Sequence, residues 1–312
     1  MGTTAMGVRV VAATLVLLLT AGIVPASAAL PGHVQPENGL KVALDAMRVL
    51  ATDTRDNTKG KNKQKQKQKL TPSKPRPIKL GKDGRLTVLL IGSDWRPKAG
   101  GERLDVLMVA TIDPETGKAA LVSIPRDMAG IPLAGGGNSG SMRVNALYYI
   151  RYRDPKLAHV RIDRQALKRF SKDIGVFLGT EIDYWAMTRF SSFANLVNSL
   201  GGVRVDIREA VLDSSYHHGA SRGVWFPRQD GYKLRGDPKC KPKPKKCRSA
   251  LVYTRSRKGT MGKRPNSDWL RAERQQELVR AAVKNILAED GAGLALLGRL
   301  IKVRDKIDTN LP

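Results

Sequence analysis

LTVLLIGSDWR, residues 86–96, decides how the chain is read. LTVLLIG is an apolar, partly β-branched run that stops at a Gly-Ser-Asp turn, the pattern of a buried strand. Downstream, DVLMVATID (105–113) is a second strand closed by the turn PETGK, and AALVSIPRD (119–127) is a third. The spacing then predicts helices over 163–178 and 189–200, the second stopping at Gly201-Gly202. VRVDI (203–207) and SALVYTRSR (249–257) read as further strands, and 268–288 as a long helix. Strands interspersed with helices predict an α/β domain with helices packed on a central sheet.

The long helix opens with SDWLRAERQQ, 267–276. Arg271, Gln275, Leu278 and Ala282 fall at i, i+4, i+7 and i+11, on one face. Leu278 and Ala282 turn that face inward, so its first turns carry an arginine and a glutamine toward the interior. Asp268 is placed to cap the start, with Trp269 and Leu270 anchoring the first turn.

The 312 residues carry a formal net charge of +27, which seeks polyanions: nucleic acid, anionic lipid or anionic wall polymer. The N-terminus chooses among them. Arg9, the apolar run Val10–Val24 and Ala26-Ser27-Ala28 form a secretory signal over residues 1–29, with an uncleaved anchor as the alternative. Either places the rest of the chain outside the cytoplasm, which excludes chromosomal nucleic acid as partner and leaves an anionic envelope surface. Residues 30–84 include lysine alternating with polar residues and a proline-rich piece, read as a disordered basic linker. Residues 85–288 form the folded domain, and 289–312 a C-terminal helix or tail. The two cysteines, Cys240 and Cys247, bracket a Lys/Pro-rich loop, and the oxidising compartment makes a disulfide between them an expectation.

The informative charges stand at strand ends: Asp94 and Arg96, Arg103 and Asp105, Arg126 and Asp127, Arg255 and Arg257. Arg271, Arg274 and Gln275 join them from the last helix. Read as a strand, YTRSR puts Arg255 and Arg257 on one face. In open α/β sheets ligands gather beyond strand ends. Converging guanidinium groups call for an anion, and their forked geometry suits phosphate oxygens. Two aspartates beside them make sense when a divalent cation bridges carboxylate and phosphate, as Mg²⁺ does.

GSDWR, ERLD, SIPRD, VNA, LGGVRVD, YTRSR and SDWLRAERQQ, in that order from about Arg85 to Leu287, resemble the LytR-CpsA-Psr family. The resemblance implies a three-layer α/β/α sandwich with a central mixed sheet and a lipid-binding groove. It implies an extracytoplasmic, Mg²⁺-dependent phosphotransferase that moves a glycopolymer from a polyprenyl-pyrophosphate carrier onto peptidoglycan, at the muramic acid 6-hydroxyl. Carried over by position, Asp94 and Asp105 match the Mg²⁺-site aspartates, one of them a candidate base. Arg103 and Arg126 match pyrophosphate-binding arginines, and Arg255, Arg257, Arg271 and Gln275 the rest of the head-group lining. Asp127 braces Arg126. The chain departs from the family pattern at LYYIRYRD after VNA and at Arg189.

The groove itself is assigned to Phe170, Ile174, Phe177, Leu178, Phe190, Phe193, Leu196 and Val197, each also a candidate for ordinary core. Two other readings compete: a pyrophosphatase acting on the same lipid carrier, and a non-catalytic binder of anionic wall polymer. Pure polyanion binding has no use for Asp94 and Asp105; transfer and hydrolysis leave the same motifs.

Overall fold

The computed structural model describes residues 78–96, 101–157, 162–218, 221–236, 249–287 and 307–311. The signal-like segment, nearly all of the basic linker, Cys240 and Cys247 lie outside them. The elements in order are β1 (Leu86–Arg96), β2 (Gly101–Ile112), β3 (Ala119–Ser123) and α1 (Val144–Leu147), which runs into a π-helical turn at Tyr148–Tyr152. Then come α2 (Arg164–Leu178), β4 (Tyr184–Arg189), α3 (Phe190–Ser199), β5 (Val203–Ile207), β6 (Val211–His218), β7 (Ser221–Phe226) and β8 (Gln229–Leu234). The chain closes with α4 (Ala250–Arg255), β9 (Thr260–Met261), β10 (Arg264–Pro265), α5 (Asp268–Leu287) and β11 (Asp308–Thr309).

The central sheet has the order β11-β4-β1-β2-β3. β1 runs parallel to β4, and the other neighbours are antiparallel. β1 is buried on both faces, which explains its unbroken apolar sequence. Leu89 and Ile91 share a core with α1 and α2. Leu86, Val88 and Leu90 face the other way, in a core that includes Val279 of α5. The result is the expected mixed α/β sandwich. A third core joins β5, β6, β7 and β8 to α4 and α5, with Phe226 set edge-on to Tyr253 at 5.1 Å between ring centroids.

α2 is well defined at both ends. Asp163 Oδ1 accepts from the Ala166 N–H at 2.9 Å, and Gly179 takes the left-handed conformation, φ 65°, that ends the helix. Its inward face corrects the groove assignment. Phe170, Ile174 and Phe177 belong to the core with Leu89, Ile91 and Trp185, on the sheet face that α2 covers. Leu178 packs there too. Amphipathic spacing told that this face was buried, not against what.

SALVYTRSR is also corrected. The segment is a helix, capped by Ser249, whose Oγ accepts from the Val252 N–H at 3.2 Å. Ala250 through Thr254 are all buried, so the sequence has no polar alternation by which to tell strand from helix. Arg255 ends the helix and Ser256 turns to extended backbone, so Arg255 and Arg257 do not alternate along a strand.

Of residues 289–312, expected as a helix or tail, only 307–311 are described. There β11 pairs with the edge of β4. Asn310 Oδ1 accepts from the Trp185 N–H at 2.7 Å, and Thr309 Oγ1 donates to the Trp185 carbonyl at 2.6 Å. No helix among the described residues is long and apolar enough to cross a membrane.

Candidate active site

The site begins with a fault in the β1–β2 ladder. Gly92 pairs with Val106, but Ser93 pairs with Leu104, so Asp105 has no partner and forms a bulge. Its effect is visible in the side chains. Leu104 and Leu107, three apart, both enter the α2 core. Asp105 and Val106, adjacent, both line a cavity on the opposite face. The bulge thus re-aims a carboxylate without disturbing the apolar alternation beyond it. It also crowds the partner strand: a Cβ on Gly92 would lie 2.8 Å from Val106 Cβ. Gly92→Ala is therefore expected to lower the thermal midpoint and the activity together, and Val106→Gly, which alone removes the opposing Cβ, to restore part of both when added to it. Melting curves of the three variants test this; a double variant no better than Gly92→Ala would reject the crowding argument.

The cavity, about 270 Å³, runs between the sheet, α3 and α5. Asp105, Arg126, Arg255, Arg257, Arg271 and Gln275 line it. So do Leu90, Met108 and Ala186 of the sheet, Phe190, Phe193, Leu196 and Val197 of α3, Leu278, Val279 and Ala282 of α5, and Ile307. α5 supplies a gradient along its length. Arg271 and Gln275 come first, Leu278 and Ala282 later, spanning roughly 16 Å of helix axis. All four are buried, as the sequence spacing requires. Of the expected groove residues, Phe190, Phe193, Leu196 and Val197 are here. Arg255 marks the border between the two halves. Its guanidinium lies 4.5 Å from the Phe190 ring centroid and 3.8 Å from Asp94 Oδ2.

The charged end is internally paired. Arg126 donates to Asp105 Oδ1 at 2.8 Å, and Asp127 Oδ2 lies 3.4 Å from Arg126 Nε. Burial alone would lower the Arg126 pKa; the charge and hydrogen bond of Asp105, helped by Asp127, reverse this, and the net shift is upward. Arg271 shifts the other way. Burial lowers its pKa, opposed by Asp268 and reinforced by the nearby Arg126. Asp268 Oδ1 sits 2.9 Å from Arg271 and its Oδ2 3.9 Å from Arg257. The Gln275 amide donates to the Thr254 carbonyl at 3.0 Å.

Several expectations shift. Ser267, not Asp268, caps α5: its Oγ accepts from the Leu270 N–H at 3.3 Å. Asp268 is the first helical residue, where its charge suits the helix N-terminus and holds Arg271. Trp269 does not anchor the turn; it is 70% exposed, while Leu270 is buried. Arg103 is the register partner of Asp94, is exposed, and does not line the cavity. Arg274 does not line the cavity but ties down neighbouring segments. It donates to the carbonyls of Tyr253 (3.0 Å) and Ser256 and to Asn266 Oδ1 (3.1 Å), and burial pushes its pKa down to about 10. Arg189, the departure noted in sequence, pairs with buried Glu102 at 3.1 Å and stacks on Trp95. Glu102 also accepts from Ser93 Oγ at 2.6 Å, so Arg189 braces the hairpin that carries both aspartates.

Carboxylates are the donor type that a hard divalent cation takes, and of the two aspartates Asp105 lines the cavity while Asp94 faces Arg255. Asp94 and Asp105 offer carboxylate oxygens from adjacent strands, and no group of three or more His, Cys, Asp or Glu side chains forms a metal cage among the described residues. A cation held here would complete its shell with phosphate oxygens and water, as Mg²⁺ does.

The sequence model of the LytR_cpsA_psr family matches residues 47–312. Curated relatives include the polyisoprenyl-teichoic acid–peptidoglycan teichoic acid transferase TagU of Bacillus mycoides, 28% identical over 237 residues, which are 75% of this chain and 62% of the relative. TagV of Bacillus subtilis is 25% identical over 227 residues, 72% of this chain and 49% of that protein. The chain thus spans about half to under two thirds of these relatives. The crystal structure of Bacillus subtilis TagV superposes with a TM-score of 0.52 at 24% identity, covering 74% of this chain and 76% of the other. Protein gbs0355 of Streptococcus agalactiae gives 0.50 at 22%, covering 73% and 69%. Both share the fold. With the family model matched over most of its length, the chain belongs to the LytR_cpsA_psr family.

Proposed function

We propose that this chain is an extracytoplasmic phosphotransferase that moves a glycopolymer from a polyprenyl-pyrophosphate carrier onto peptidoglycan and releases polyprenyl phosphate. The observation that carries the reading is a single cavity lined by arginines and an aspartate and also by α3 and α5 apolar side chains. That lining suits an amphiphile with a multiply charged head and a hydrocarbon chain. The relatives' names, teichoic acid transferases acting between a polyisoprenyl carrier and peptidoglycan, support the same chemistry.

In this scheme Arg126, Arg255, Arg257 and Arg271 bind the pyrophosphate, and Gln275 closes the lining. An acceptor hydroxyl attacks the phosphorus next to the sugar. The bond to the bridging oxygen breaks, and polyprenyl phosphate departs with its charge met by guanidinium groups. The hydroxyl proton passes to one of the two carboxylates, Asp94 or Asp105. Bound Mg²⁺, held by Asp94 and Asp105, would neutralise charge on the phosphates. The muramic acid 6-hydroxyl is the proposed acceptor.

A transfer assay with polyprenyl-pyrophosphate-linked sugar, peptidoglycan fragments and Mg²⁺ tests the proposal. Sugar phosphate joined to peptidoglycan supports it; release of free sugar phosphate at the same rate without acceptor favours the pyrophosphatase. The apolar half has its own test. Ala282→Trp projects an indole into the lumen and is expected to remove co-purified polyprenyl phosphate, read by mass spectrometry, and to raise KM for long-chain donors about 10-fold. KM for a short-chain donor should stay near the parent value. Equal losses for both donors would argue against a lipid chain in this lumen.

A further inference from the structure

We propose that Asp213, which belongs to none of the strand-end motifs, is a positioning residue that sets Arg257 for anion binding. The inference rests on the reading of the cavity as a pyrophosphate site. Asp213 lies on β6 between exposed Leu212 and Ser214, and it is 2% exposed. A carboxylate facing a core needs donors, and it finds three of its four on one turn. Its Oδ2 accepts from Ser256 Oγ (2.9 Å), the Arg257 N–H (3.2 Å) and the Lys258 N–H (3.1 Å). Its Oδ1 accepts from the Ser215 N–H at 3.1 Å.

The same turn is gripped from the other side. Asn266 Nδ2 donates to Ser256 Oγ (3.2 Å) and to the Lys258 carbonyl (3.0 Å). The backbone on both flanks of Arg257 is therefore fixed by side chains from β6 and from the segment before α5. Arg257 itself is a long, half-exposed side chain whose ion contact among the described residues, to Asp268, is at 3.9 Å. Its reach into the cavity depends on where its Cα is held, and a fixed anchor lowers the entropy lost when the guanidinium binds. Asparagine cannot replace the aspartate. One amide oxygen and one amide NH₂ would face four donors, so at least one N–H or O–H would meet another donor.

A double-mutant cycle on the full chain tests this. The probe is methylenediphosphonate with Mg²⁺, measured by calorimetry. Arg257→Ala is expected to weaken binding about 10-fold and Asp213→Asn about 5-fold. The combined variant should bind no more weakly than Arg257→Ala alone, because Asp213 acts only through Arg257. A merely structural role would lower the thermal midpoint and leave the two affinity losses to multiply; that result overturns the proposal. Should Asp213→Asn unfold at the assay temperature, Ser256→Ala enters the cycle in its place, with the same non-additivity expected. If Arg257→Ala leaves affinity unchanged while Arg126→Ala abolishes it, the positioning role falls but the pocket stands. If neither change matters, the pyrophosphate reading itself is wrong.

Discussion

Replacing Asp105 by alanine is expected to lower transfer by about 10²–10³-fold with the fold intact, and replacing Arg126 to do the same. The reason is their shared geometry. Asp105 stands on a bulge that no other ladder position can supply, and Arg126 reaches it at 2.8 Å from the end of the third strand. Neither side chain belongs to the apolar core, but removing either leaves the other, largely buried charge without this partner, so a lower thermal midpoint is expected beside the activity loss, with the fold kept. The pair is coupled, and Asp105→Ala/Arg126→Ala should lose less than the product of the single losses. Turnover with radiolabelled donor, beside circular dichroism and a melting curve, decides the matter. Parent-like turnover in both single variants would sink the site assignment.

Arg274→Ala is expected to have the largest effect on stability, about 3–5 kcal/mol, seen as a fall of roughly 10 °C or more in thermal midpoint. Arg274 is 0% exposed, and its guanidinium ties the end of α4 and the turn after it to α5. It also lies over the Tyr253 ring at 5.6 Å. Alanine would leave a void and strip partners from the Tyr253 and Ser256 carbonyls and from Asn266 Oδ1. Arg274→Lys should fall between, since an ammonium cannot reproduce the planar fork. Thermal denaturation checks both. A midpoint within 2–3 °C of the parent for Arg274→Ala, well under the drop expected here, would show that the network contributes little.

The sequence carried most of this fold because its decisive elements are long and strongly patterned. The first three strands are apolar runs punctuated by Gly, Asp and Pro, and α5 repeats its apolar face over many turns. Several features lay beyond pattern, the strands β4 and β6–β8 among them. The helix Ala250–Arg255 is buried on all sides, so periodicity says nothing about its type. The Asp105 bulge is a pairing fault between two strands, and no single strand encodes it. The α2 aromatics, Phe170 and Phe177, and the α3 aromatics, Phe190 and Phe193, both sit at helical spacings, yet only those of α3 line the cavity; which sheet face a helix covers depends on chain crossovers. Asp213 lies in no motif, and β6 has no apolar alternation that marks it as a strand, so nothing in the sequence singles this aspartate out. The stack of Arg255 on Phe190 was likewise hidden, joining residues 65 apart in sequence.

The two-residue strand β11 has a bearing on handling the protein. Among the described residues it is the outer neighbour of β4, so it shields backbone groups that would otherwise form an open sheet edge. Its grip depends on Thr309 and Asn310 at a single residue, Trp185, as well as on its ladder. Ile307, just before it, also closes part of the cavity wall. Truncating the chain before residue 307 would therefore do two things at once: leave a strand free to recruit a second molecule, and open a greasy lumen to water. Material that stays monodisperse is therefore expected only while residues 307–311 are kept.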